Sequence, residues 1–148
     1  MDITKEELES ARRRWEEAEI TNYNVTLYYQ GGWVTYEMQL EIHKDQPKLL
    51  WIQFPGGKRY STNASLPGTP ITKSDEFQLY RYTDFTVNKQ FDLFEQELTT
   101  YDPTQTVTNC HVEFDQVAGY PSLRRCDIRE MSDDDYTLRI SDLTKLEP

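Results

Sequence analysis

The chain is poor in the residues that most catalytic, metal-binding and membrane functions require. Its 148 residues include only two cysteines and two histidines, which do not supply the paired short motifs of a zinc site. No apolar run approaches the ~18 residues of a membrane-spanning helix. Gly-x-Ser-x-Gly, a phosphate loop, a dinucleotide fingerprint and His-Glu-x-x-His are all missing from the sequence. Basic residues are scarce as well, 16 against 26 acidic ones, for a formal net charge of −10. A surface that negative repels phosphate backbones and anionic headgroups, which argues against nucleic-acid binding and polybasic membrane docking. Asp133-Asp134-Asp135 has the composition of a calcium loop but lacks its alternating ligands, its Gly and its distal Glu. No metal and no cofactor are expected.

What is present points to one small domain spanning residues 1–148. The length suits a single core, and a mean hydropathy of −0.81 implies that the core is small and the surface polar. Aromatics make up 13% of the chain, with ten Tyr among them, a content that fits pleated sheet better than a helical bundle.

The first element reads as a helix with complete start signals: Thr4 as cap, Glu7 closing a capping box, Ile3 and Leu8 at the staple positions. Leu8, Ala11, Trp15 and Ala18 continue at helical spacing, and Thr21-Asn22 is the expected end. Tyr23, Val25, Leu27 and Tyr29 then alternate with polar residues, as do Val34, Tyr36, Met38, Leu40 and Ile42. Gly31-Gly32 between them suits a two-residue primed turn. That turn sets Tyr29 opposite Val34, Leu27 opposite Tyr36, Tyr28 opposite Thr35 and Gln30 opposite Trp33. Asp45-Gln46-Pro47 reads as the turn into a third strand over about 49–54. An irregular stretch follows to Thr72, and residues 77–82 are open between strand and helical turn. Thr86 caps a second helix from Val87 to about Leu98, with Val87, Phe91, Phe94 and Leu98 inward. Three more strands are expected, over about 106–114, 123–128 and 136–140. The fold class is therefore α+β: an antiparallel sheet of about five or six strands with an N-terminal and a mid-chain helix, the helices covering one sheet face and leaving the other at least partly open.

Cys110 and Cys126 fall on two strands placed symmetrically about Ala118, which suits a cross-strand disulfide; a bulge at Gly119 would shift that register and leave two free thiols. Cys110 and His111 are a poor nucleophile–base pair, because neighbouring strand residues point to opposite faces.

Two blocks carry a resemblance. Leu8 through Trp15 to Asn22-Tyr23 is one. Val87 to Glu95, Phe114-Asp115, Gly119-Tyr120-Pro121, Asp127, and Asp135-Tyr136 through Asp142-Leu143 form the other. Together they resemble a bacterial lipoprotein-like family catalogued as domain of unknown function 6174. The likeness implies an exported, often lipid-anchored domain and supplies no activity, catalytic residue or cofactor. Members often carry Cys-x-Cys near the first hairpin; this chain has Tyr28-Tyr29-Gln30-Gly31-Gly32 there, so nothing resting on those cysteines carries over. Residues 55–82 take no part in the resemblance.

The start of the chain, Met1-Asp2-Ile3-Thr4, has no basic or apolar leader. The expected location is extracytoplasmic, with the export signal absent from this chain; cytoplasmic is the alternative. Tyr28 and Trp33 on the outer face of the first hairpin, Trp51 beside them, and the cationic cluster Lys58, Arg59 and Tyr60 are the candidate contacts for a protein or small ligand. The first expectation for function is a non-catalytic binding or accessory module. The alternatives are an enzyme assembled from unremarkable carboxylates and tyrosines, or a structural subunit that self-associates.

Overall fold

The computed structural model describes residues 2–32, 34–62, 65, 67–71, 85–100, 108–128 and 135–147. Helix α1 (Lys5–Glu17) begins on the capping box read from sequence: the Glu7 amide donates to Thr4 Oγ1 and the Thr4 amide donates to Glu7 Oε2, both at 3.1 Å. It stops at Ala18, before the expected Thr21-Asn22, because Glu19 takes a left-handed φ of 53° and turns the chain into β1 (Asn22–Gly31). Leu8, Ala11 and Trp15 form its buried stripe. In helix α2 (Val87–Thr100), Thr86 Oγ1 accepts from the Lys89 amide, and Val87, Phe91 and Phe94 are buried.

The remaining strands are β2 (Thr35–His43), β3 (Gln46–Gln53), β4 (Arg59–Ser61), β5 (Thr69–Pro70), β6 (Thr108–Phe114), β7 (Pro121–Ile128) and β8 (Tyr136–Lys145). Among the described residues they form one eight-stranded sheet in the order β5-β4-β3-β2-β1-β8-β7-β6. This corrects the expected five or six strands and the purely antiparallel sheet: β4 and β5 are short pieces of the stretch read as irregular, and β5 runs parallel to β4. Strands of three and two residues carry no detectable alternation.

The first hairpin is one pair out from its expected register. Tyr29 lies opposite Tyr36, Leu27 opposite Met38, Tyr28 opposite Glu37 and Gln30 opposite Thr35. Gly31 belongs to the strand, its amide donating to the Val34 carbonyl at 2.9 Å, so the turn falls one residue later. Shifting partners by two residues keeps every side chain on its face, so hydrophobic alternation does not separate the two registers. What Gly31 supplies is room: a Cβ there would sit 2.9 Å from the Tyr29 ring. The primed turn lies in the next hairpin, where Lys44 and Asp45 have φ of 48° and 65° and Gln46 already pairs with His43. That places Gln46 and Pro47 in β3 rather than in a turn. Asp45 is anchored from α2 by the Asn88 side-chain amide at 3.0 and 3.1 Å.

Both helices lie on the same face of the sheet. Their stripes join Tyr23, Val25, Leu27, Met38, Leu40, Ile42, Ile52, Val112 and Ile140 in one core. Each fully buried Phe or Leu there contributes about 1.5–3 kcal/mol. The β6–β7 turn docks on α1 through Gly119, where φ is 83° and a Cβ would fall 2.1 Å from the Ala11 carbonyl oxygen, so only glycine fits. Asp115 shapes that turn, its Oδ2 accepting from the amides of Val117 (3.1 Å) and Ala118 (2.7 Å). No helix among the described residues is long and apolar enough to cross a membrane.

Candidate functional site

The face turned away from the helices carries the residues that alternate with the core: Thr26 and Tyr28 from β1, Glu37 and Gln39 from β2. Pairing extends it outward, since Trp51 lies opposite Gln39 and Arg59 lies opposite Gln53. Among the described residues, the most organised part of this face is a layered stack at its β3–β4 side. Trp51 lies outside the core cluster, yet only 8% of it is exposed. Its indole N–H donates to Gln39 Oε1 at 3.1 Å, and the Arg59 guanidinium covers the ring at 4.0 Å. Arg59 is steered in turn by its Nε, which donates to Gln53 Oε1 at 2.8 Å. A cation lying on its π-face is thus part of what covers this tryptophan.

Beside the stack is a cavity of about 530 Å³ lined by Gln53, Gly57, Lys58, Arg59, Pro67, Gly68 and Thr69. Gly68 has a φ of 128°, and a Cβ there would meet the Arg59 carbonyl oxygen at 2.9 Å, so glycine lets β5 close against β4. Lys58 is exposed on the rim with its Nζ 5.3 Å from the centre of the Tyr60 ring. A hydrogen bond with the Tyr60 side chain raises the Lys58 pKa above its ordinary value.

The six residues singled out from sequence thus divide. Tyr28, Trp51 and Arg59 share the face turned away from α1 and α2, whereas Tyr60 pairs with Ile52 and packs against the core. Lys58 stands at the edge between them, and Trp33 lies outside the described residues. Sequence reasoning did not single out Gln53 and Thr69. Gln53 was recoverable, being two residues beyond Trp51 on a strand and so on the same face; Thr69 had no local signal.

On the opposite face, Cys110 and Cys126 are direct cross-strand partners joined by a disulfide, with Cα atoms 4.1 Å apart. A register shift does occur in this hairpin, but between Glu113 and Phe114, beyond the cysteines. Arg124 lies over the disulfide, its Nε 3.3 Å from Cys126 Sγ, with Phe94 and Tyr136 rings at 5.2 and 5.9 Å. Glu97 of α2 accepts from Arg124 Nη2 at 2.5 Å. Burial raises the Tyr136 pKa above the usual phenol range.

His111 points away from Cys110, as strand geometry requires. Its Nδ1 meets the Asp2 carboxylate and its Nε2 lies 3.3 Å from Glu113 Oε2. The Asp2 hydrogen bond raises the His111 pKa. Among the described residues no group of three or more His, Cys, Asp or Glu is placed to hold a metal ion. A larger groove of about 700 Å³ runs between the helices past Leu8 and Leu98, but Arg12 crosses it to Asp92 (2.8 Å) and Glu95 (3.0 Å), satisfying its charge within the fold.

The residues that carried the resemblance meet elsewhere. Trp15 packs edge-on to Tyr23 and Tyr120 at 5.5 and 6.4 Å, and the buried Tyr23 hydroxyl accepts from the Val87 amide at 3.0 Å. They tie α1, β1, α2 and the Gly119 turn together, and the Trp51–Arg59 stack is not among them. A family model described as a family of unknown function (DUF6174) matches residues 7–145. No curated protein matches the chain.

Proposed function

The chain belongs to the DUF6174 family of unknown function, and from that premise we propose that it is a non-catalytic binding module working outside the cytoplasm. One observation carries this reading. Both helices sit on one sheet face, while the other presents a prearranged Trp51–Arg59–Gln53 stack beside a cavity. Aromatic and arginine side chains held in place before contact lose little freedom on docking, which is what a recognition surface needs. The Cys110–Cys126 disulfide supports an oxidising compartment.

The test is capture by the tagged domain from an envelope-plus-secreted extract, wild type beside a variant carrying Tyr28→Ala and Gln39→Ala, with folding checked by circular dichroism. A partner retained by wild type and lost from the folded variant supports docking on this face. Identical recovery by both proteins refutes it.

A further inference from the structure

We propose that the cavity at the β3–β4–β5 edge is an oxyanion site, taking a small molecule that bears a carboxylate or a phosphate. This rests on the binding-module reading and names the chemistry of its ligand.

Three arginines among the described residues lie over aromatic rings: Arg12 over Phe91, Arg124 over Phe94 and Tyr136, and Arg59 over Trp51. Two of them are neutralised within the fold, Arg12 by Asp92 and Glu95, Arg124 by Glu97. Arg59 has no carboxylate among the described residues within ion-pair distance. Its contacts are the Trp51 ring, which fixes the guanidinium plane, and Gln53 Oε1, which takes Nε–H. The two Nη groups, a planar fork of N–H donors, have no hydrogen-bond acceptor among the described residues, and they belong to a residue that lines the cavity. That fork matches the spacing of two oxygens on a carboxylate or phosphate, and its orientation is set before the ligand arrives.

The other walls fit the same ligand. Lys58 adds a second positive charge at the rim, and Thr69 adds a hydroxyl. Gly57 brings no side chain into the space, and a Cβ placed on it would meet nothing within 4 Å, so an oxyanion can approach the backbone closely there. The size of the anion follows from the rest of the molecule. A net charge of −10 repels extended polyanions such as nucleic acid or an anionic bilayer, whereas one small group reaches two local cations without facing the whole surface.

The full chain, labelled with nitrogen-15, would be titrated with inorganic phosphate and separately with glucuronate, using glucose and sodium chloride at matched ionic strength as controls. Saturable shifts at the amides of Gln53, Gly57, Arg59, Gly68 and Thr69 are expected with at least one oxyanion and with neither control. Phosphate alone would mark a phosphorylated ligand, glucuronate alone a carboxylate, and both a site that reads the oxyanion itself. Arg59→Gln should weaken binding roughly tenfold, with Arg59→Lys in between because it keeps the charge and loses the fork. Lys58→Gln, exposed and harmless to folding, should weaken binding roughly threefold. Absence of saturable shifts with both oxyanions, or equal affinity in wild type, Arg59→Gln and Lys58→Gln, overturns the assignment. If that happens while capture still depends on Tyr28 and Gln39, the oxyanion site alone falls and the docking face stands.

Discussion

Arg59 and Arg124 both lie against aromatic rings, but on opposite faces of one sheet and to opposite ends. Arg124 is 8% exposed, set between Phe94 and Tyr136, backed by a disulfide and closed off by Glu97. Arg59 has a ring beneath it and an amide at its side, and it lines a cavity. The difference lies in α2: it delivers a carboxylate to the inner face, and no described helix reaches the outer one. A stacked arginine with its own counter-ion holds strands and helix together, whereas one without it keeps its hydrogen-bonding capacity for something else.

The comparison breaks most severely at the inner stack. Replacing both cysteines by serine should lower stability by about 3 kcal/mol, the value for a cross-link closing a loop of this length, measured as a shift of the urea midpoint. Arg124→Ala should cost about 2–3 kcal/mol, somewhat less than a fully buried pair because the Glu97 side chain is 32% exposed. Replacing Arg124 and Glu97 together by leucine should recover most of that loss, since no charge is then left without its partner. Equal losses in the single and double variants would show that packing rather than pairing matters at this position.

At the outer stack the same kind of truncation should act differently. Arg59→Ala is expected to cost under about 1 kcal/mol, the worth of a partly exposed cation–π contact, while removing oxyanion binding. A loss as large as that of Arg124→Ala would make the two stacks equivalent and end the distinction.

The smallest effect concerns pH. The Asp2 hydrogen bond raises the His111 pKa above its unfolded value. Its stabilisation is therefore complete below the unfolded pKa and fades as pH rises through the folded one. A proton-detected titration should place the His111 midpoint above that of a free histidine, and Asp2→Asn should bring it down. Neither stack should respond over that range, because arginine does not titrate there.

Elements with strong periodicity were legible in the sequence. The Thr4 box, the α2 stripe and the cysteine pair all followed from spacing, because each rests on a local pattern or on symmetry about a turn. The register of the first hairpin was not, since alternation has a period of two and a shift by two leaves it unchanged. The type of turn misled for a related reason: Gly31-Gly32 permitted a primed turn, but Lys44-Asp45 adopted positive φ instead, held by the Lys44 amide to Thr21 at 3.2 Å and by Asp45 to Asn88. Arg124 was hidden because β7 inverts the usual rule, turning Leu123 toward the outer face and an arginine toward the core. Lys58 and Arg59 were visible as a cationic cluster, but the partners that arrange them arrive through pairing with β3 and β5.

The pairing of β1 with β8 also sets a timetable for the nascent chain. β1 is central, and its second neighbour is the last strand described, so that Tyr23 waits for Lys145 to be made. Until then one edge of an apolar-faced strand has no backbone partner. Completion of the whole sheet therefore waits on β8, whose pairing with β1 on one side and β7 on the other joins two hairpins far apart in sequence into one surface.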